Sequence, residues 1–239
     1  APLLLGFLEK NIKEKFPGRD IAHISVSHWH PDHSGGIGHF APNAKVIAHA
    51  NVKKTLLAKQ KGYGLAKAGV LLEFEAREAK NVPNTIFDKR HEVILKNEKM
   101  IYTHLPNAHT DGDIIAHFER SNVIHVGDLV WPRSFPFVDY YNGGTAPGIL
   151  AAIDRLLKIS DENTTFVPGH GEVFDRQYLS KYREMVFTTI EIVRSKTRKK
   201  LSAEKIRSDG LPSFRDWATP LVSEAIWIEM ILKSPDTAN

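Results

Sequence analysis

The chain has 239 residues, enough for one sizeable core, and its 42% hydrophobic and 25% charged content excludes a disordered chain. Cysteine is absent, so disulfides, thiolate metal ligands and a cysteine nucleophile are excluded, and no apolar run approaches the ~18 residues of a membrane-spanning helix. The net charge of +4 comes from 32 basic against 28 acidic residues, an excess that permits anionic substrates without demanding a polyanion. In chain order, Leu4, Leu5, Leu8, Ile12 and Phe16 recur at helical spacing and predict a helix over 3–16, ended by Pro17-Gly18. Residues 21–27 alternate towards a strand that runs into His28-Trp29-His30-Pro31-Asp32-His33, and Ser34-Gly35-Gly36 then loosens the backbone and can open a helix. Residues 44–49 read as a parallel strand, with Asn51 placed to cap a helix from Val52 to Lys61. Gly62-Tyr63-Gly64 opens a weakly periodic segment to about Val82, expected to be an insertion over a cleft.

Short strands are expected at 85–87, 91–96 and 100–105, with a hairpin turn at 96–99, and again at 113–119 and 122–126. Thr145-Ala146-Pro147 starts a helix with Ile149, Ile153, Leu156 and Leu157 on one face, and 164–167 reads as a strand. Helices follow over 175–200 and 220–233 and are expected to cover a sheet; the basic run at 194–200 reads as a solvated helix end. Two series of strands with helices between them suggest an α/β sandwich rather than one doubly wound sheet.

The six residues from His28 to His33 hold three imidazoles and a carboxylate, one donor more than a catalytic zinc site takes from the protein, which implies two metals. On an extended segment His28 and His30 point the same way, and the turn at Pro31 sends Asp32 and His33 to a neighbouring position. Further donors follow just beyond other predicted strands: His109 in Asn107-Ala108-His109-Thr110-Asp111-Gly112-Asp113, Asp128 in Val126-Gly127-Asp128-Leu129, and His170 in Val167-Pro168-Gly169-His170-Gly171. The remaining histidines, at 23, 39, 49, 91, 104, 117 and 125, read as packed or solvated residues. Asp111 and Asp113 either orient His109 or shape a local turn, and Trp131, Phe135, Phe137, Tyr140 and Tyr141 form either an aromatic wall for a substrate or core.

The run has the form H-x-H-x-D-H, and with His109, Asp128 and His170 in order it resembles the metallo-β-lactamase-fold hydrolase superfamily over roughly residues 20 to 175. The resemblance implies an αβ/βα four-layer sandwich, here with its N-terminal strands missing or reduced, and a single domain over 1–239 whose residues 175–239 form a helical C-terminal part. It implies that His28, His30 and His109 hold one Zn2+, that Asp32, His33 and His170 hold a second, and that Asp128 bridges them; iron or manganese suits the same donors. The implied activity is hydrolysis of an ester, thioester, lactone or amide bond of a small molecule by a metal-bridging hydroxide, with Asp32 and Asp128 as catalytic carboxylates. Aspartate at the bridging position, rather than cysteine or serine, points away from dedicated β-lactam hydrolysis. A nucleic-acid phosphodiesterase of the same fold is the alternative, disfavoured by the short gaps between the donors. The expected partner is a small-molecule substrate, with no membrane; compartment and oligomeric state stay open.

Overall fold

The computed structural model describes residues 2–40, 43–63 and 71–235. It opens with helix α1 (Pro2–Lys15), after which β1 (His23–Ser25) leads to the short helices α2 (Pro31–Ser34) and α3 (Ile37–Phe40). Strand β2 (Lys45–His49) lies parallel to β1 and to β5 (Thr85–Phe87) in a three-stranded sheet of order β1-β2-β5. Five further strands form a second sheet: β6 (Arg90–Leu95), β7 (Glu98–His104), β8 (Ile114–Phe118), β9 (Val123–Gly127) and β10 (Thr165–Pro168), ordered β10-β9-β8-β7-β6. Neighbours in that sheet are antiparallel except β9 and β10, so β7, β9 and β10 all point towards one edge.

Period-two alternation decides what each sheet face buries. On β8, Ile114 and Ala116 face the first sheet and pack with Ile47, Phe87, Met100 and Tyr102, while Ile115 faces the opposite layer. On β2, Val46 and Ala48 turn the other way, onto Val26, Val52 and Leu56, so helix α4 (Ala50–Leu56) covers the outer face of the first sheet. The outer face of the second sheet, through Ile115, Ile124 and Phe166, packs on α5 (Ala146–Ile159), α6 (Arg176–Arg198), α7 (Ala203–Asp209) and α8 (Glu224–Lys233). Helix, sheet, sheet, helix is the four-layer αβ/βα order that the motifs imply. Thr145, Asp175, Ser202 and Ser223 cap these helices by accepting from the backbone N–H three residues on.

The chain between β2 and β5 differs from its sequence reading. Helix α4 stops at Leu56 instead of reaching Lys61, because the next residues form β3 (Gln60–Tyr63), which pairs antiparallel with β4 (Leu71–Phe74). The cap is His49, whose Nδ1 accepts from Asn51 N at 3.2 Å, and the Asn51 side chain instead donates to Asp111 O at 3.0 Å. The expected insertion over the cleft is thus a hairpin, with residues 64–70 outside the described set. Helix α7 was not legible because its seven residues bury only Ile206.

His49 and His104 close the gap between the ends of β2 and β7: their rings stack at 3.5 Å and 9°. Their Nε2–H groups donate to Asp88 O and Asp111 O, both at 2.9 Å. Burial, reinforced by the ring of His104, holds His49 down to about 4, and burial also lowers His104. The unfolded chain binds these protons near ~6.5, so the stability the neutral pair contributes is complete above that pH and is lost as pH falls towards about 4. Urea midpoints are expected to fall across this window in the wild type and to fall less steeply in His49→Gln; equal slopes would remove His49 as the cause.

Candidate metal centre

Each of the seven donor residues lies just past a strand end or in the loop that follows it. His28, His30, Asp32 and His33 follow β1, with Asp32 and His33 on α2; His109 follows β7, Asp128 follows β9 directly, and His170 follows β10. Strand direction therefore brings three segments to one edge of the second sheet. The fourth is joined to it by backbone, since Ile114 N, at the start of β8, donates to Ser27 O at 2.9 Å. Pro31 is tolerated in the first turn of α2, and the Ser34 hydroxyl lies 2.7 and 2.8 Å from the carbonyls of Trp29 and His30, which fixes the tight turn between the first two and last two donors.

The donor atoms form three overlapping groups, each within 4.8 Å: His28, His30 and His109; His28, His33 and Asp128; and Asp32, His33 and His170. Asp128 reaches across all of them. Its Oδ2 is 4.0 Å from His28 Nε2, 3.8 Å from His109 Nε2 and 3.5 Å from His170 Nε2, and its Oδ1 is 3.2 Å from His33 Nε2. Asp32 Oδ2 lies 3.0 Å from His170 Nε2 and 3.3 Å from His33 Nε2. His28, His109 and Asp128 form a buried floor, while Asp32 and His170 stand at the open side.

Several atoms in this cluster lack the partner that burial demands. His28 Nε2 and Asp128 Oδ1 are buried with no hydrogen bond, and Asp128 Oδ1 has only the ionic approach of His33 Nε2 at 3.2 Å. His109 Nδ1 donates to Phe137 O at 2.8 Å and His30 Nε2 donates to Asp139 Oδ2 at 3.0 Å, so in the neutral rings His109 Nε2 and His30 Nδ1 are the lone-pair nitrogens, and they face each other at 3.0 Å. Ser27 Oγ lies 3.1 Å from His28 Nδ1 and 3.2 Å from His33 Nδ1, so one hydroxyl holds both rings with their Nε2 atoms turned inward. Lone pairs gathered without protons between them are what a cation stabilises, so the donor set fits a metal.

Without a cation, protons offset part of the charge. Burial and the neighbouring His33 push the His28 imidazole well below its usual range, and burial with His30 holds His109 down to about 4; both are neutral at physiological pH. Burial opposes charge on His33 as well, but the flanking carboxylates of Asp128 and Asp32 raise it to about 10. Burial would push the Asp32 carboxyl up, yet the hydrogen bonds from His170 and His33 hold it well below the usual carboxylate range, and His33 and its neighbours likewise lower Asp128.

Around the donors, the sequence reading of Asp113 resolves to a turn: its carboxylate accepts from Thr110 N and Thr110 Oγ1, both at 2.8 Å. His109 is oriented by the Phe137 carbonyl instead. The aromatic loop divides, with Phe135 stacked on Trp227 in the core, whereas Trp131 and Phe137 border the donors, 4.8 Å from the ring of His170 and 5.7 Å from that of His109. Ser27 and Asp139 went unread in the sequence: a serine ending a strand and an aspartate among aromatics carry no spacing that marks them.

The metallo-beta-lactamase superfamily model matches residues 5–170. Among solved structures, 77% of the chain overlies 75% of a metallo-beta-lactamase from Pontibacter korlensis, with TM-score 0.58 and 16% identity. A larger share, 93%, overlies 42% of the stereoselective inverting sec-alkylsulfatase from Pseudomonas sp., with TM-score 0.65 and 16% identity, so the chain spans less than half of that enzyme's length. ETHE1 from Myxococcus xanthus is similar over 76% of this chain and 70% of its own, with TM-score 0.51 and 17% identity. No curated protein matches the sequence. These likenesses show the fold, and with the superfamily match over residues 5–170 the chain belongs to the metallo-beta-lactamase superfamily, whose members are metal-dependent hydrolases.

Proposed function

We propose that the chain is a dinuclear zinc hydrolase acting on an ester, thioester, lactone or amide bond of a small molecule. The observation that carries this reading is the reach of Asp128, whose two oxygens face donors of both outer groups and so suit a bridge between two cations. In this reading His28, His30 and His109 hold the first ion, Asp32, His33 and His170 the second. Ions bound there supply Lewis acidity to the scissile carbonyl and lower the pKa of water towards ~7.

The chain's own groups then do the positioning. Asp32, ionised and at the open side, is placed to take the proton of the attacking water, and Asp128 fixes the spacing of the two halves. Trp131, anchored by its Nε1–H to Asp128 O at 3.1 Å, screens one side of the cluster from water. Behind Phe137, a cavity of about 440 Å³ is lined by Phe137, Tyr140, Ala225, Ile226 and Met230, with Arg207 and Glu229 paired at 2.6 Å. Its size is that of a small-molecule site, and its lining suits an apolar acyl or alkyl group one side chain away from the donors. A phosphodiesterase reading gains little from the basic end of α6, where Lys196 pairs with Asp209 at 3.3 Å and Arg198 with Glu191 at 3.2 Å. We also read residues 1–239 as one working unit, because one continuous core joins the second sheet to α5 through α8.

Purified protein is expected to bind about two zinc ions per chain and to lose turnover of chromogenic esters, thioesters or lactones on chelation; activity that survives complete metal removal would sink the reading. Asp128→Asn, which removes the charge shared by the two halves, is expected to lower turnover by orders of magnitude with the far-ultraviolet circular dichroism unchanged; unchanged turnover would remove Asp128 from the bridging role. Gly169 is the close-approach point of the His170 loop: a Cβ there would lie 2.2 Å from Asp128 Oδ1 and 2.6 Å from His33 Cε1. Gly169→Ala is therefore expected to bind fewer zinc ions than wild type by elemental analysis, and full loading would show that the loop gives way freely.

A further inference from the structure

Asp139 is fully buried, lies outside the seven donors, and has only one side-chain oxygen in use. That oxygen, Oδ2, accepts from His30 Nε2 at 3.0 Å and from Asn142 Nδ2 at 2.7 Å, while Oδ1 has no hydrogen-bond partner. The Asp139 backbone N–H donates to His109 O at 2.9 Å, so one residue grips two of the three donors in the first trio. Asn142 Nδ2 also donates to Lys61 O at 2.8 Å, tying the same carboxylate to β3 of the hairpin. A buried, half-satisfied carboxylate is costly as a mere loop tie. It is explained if the His30 ring carries positive charge from its other face.

We propose that Asp139 is a positioning residue for the first cation site. Resting on the metal reading above, this assigns Asp139 the task of holding His30 as the tautomer with Nε2–H outward and the Nδ1 lone pair turned towards His109 Nε2. An imidazole that gives its lone pair to a dication becomes a stronger N–H donor, and a carboxylate on that N–H raises its basicity as a ligand. Asp139 thereby sets the affinity of the trio His28, His30 and His109 without touching the ion or the substrate. The group on the Asp32 side has no contact with it and keeps its own affinity.

The test is zinc titration of metal-stripped protein against a chromogenic chelator, with cobalt absorption spectra and thermal midpoints of the metal-free proteins alongside. In Asp139→Ala, one of two ions is expected to bind about 10- to 100-fold more weakly, the range for a lost partner behind a ligand, and the other as in wild type. Asp139→Asn, whose amide oxygen can still accept from His30, is expected to fall between the two. Asn142→Ala, which cuts the tie to Lys61 but leaves the His30 contact, is expected to lower the thermal midpoint and keep both affinities. Should Asp139→Ala fail to fold, Asp139→Asn and Asn142→Ala still decide, because only the first alters the group behind His30. Wild-type affinities in both Asp139 variants, with lower thermal midpoints alone, would reduce Asp139 to a structural tie and overturn the inference while leaving the metal reading intact. A wild-type chain that binds no zinc would overturn both.

Discussion

Lone pairs that converge on one another without a proton between them are the constraint this structure is built around. The ring nitrogens of His30 and His109 face each other at 3.0 Å, four imidazoles crowd one Asp128 carboxylate, and two of the buried donor atoms have no hydrogen bond at all. Such a cluster costs folding free energy until a cation fills it. The rest of the fold holds it in place. Strands β7, β9 and β10 point one way, so the loops that follow them meet at one edge, and the Ile114 to Ser27 backbone bond adds the loop after β1. Gly127, at φ 53°, lets the chain turn out of β9 against Ser27, where a side chain would strike Ser27 Cβ.

The helical layer serves the site through the loop after Asp128. Tyr182 and Tyr178 on α6 accept from the backbone of Trp131 and Arg133, and Met230 on α8 lies 3.3 Å from Val138 N. These contacts fix the backbone whose carbonyl at Phe137 orients His109 and whose carboxylate at Asp139 meets His30. Helices α6 and α8 bury their apolar faces on the second sheet, with Trp227 donating to Thr189 Oγ1 at 2.9 Å in the interface. Packing free energy far from the donors is in this way converted into angular precision at them. The same arrangement leaves the cavity between that loop and α8, so the element that steadies the donors also shapes the space for a substrate.

Much of the fold was legible because its signals are local. The spacing in β8 that sends Ile114 and Ala116 one way and Ile115 the other is a period-two pattern, and the apolar face of α5 is a period-3.6 one. The hairpin β3–β4 was not legible, since its pairing partners lie across a segment with no strong alternation, and the helix before it was extended too far in consequence. His49 was read as a structural histidine at a strand end; its cap on Asn51 N is local, but the ring it stacks on, His104, lies in the other sheet.

The sequence by itself determined which atoms are available: five histidines and two aspartates, in an order and with flanking glycines that resemble a known hydrolase superfamily, and no thiol to compete with them. Ligand chemistry belongs to residue types, and residue types are read directly. What only the tertiary structure decided is how those donors are aimed. The tautomers of His30 and His109 depend on Asp139 and Phe137, 109 and 28 positions away in the chain, and the shared hydrogen-bond partner of His28 and His33 is the Ser27 hydroxyl. A ring nitrogen carries its lone pair or its proton according to what lies behind it, and in a folded chain that neighbour is chosen by packing rather than by sequence separation.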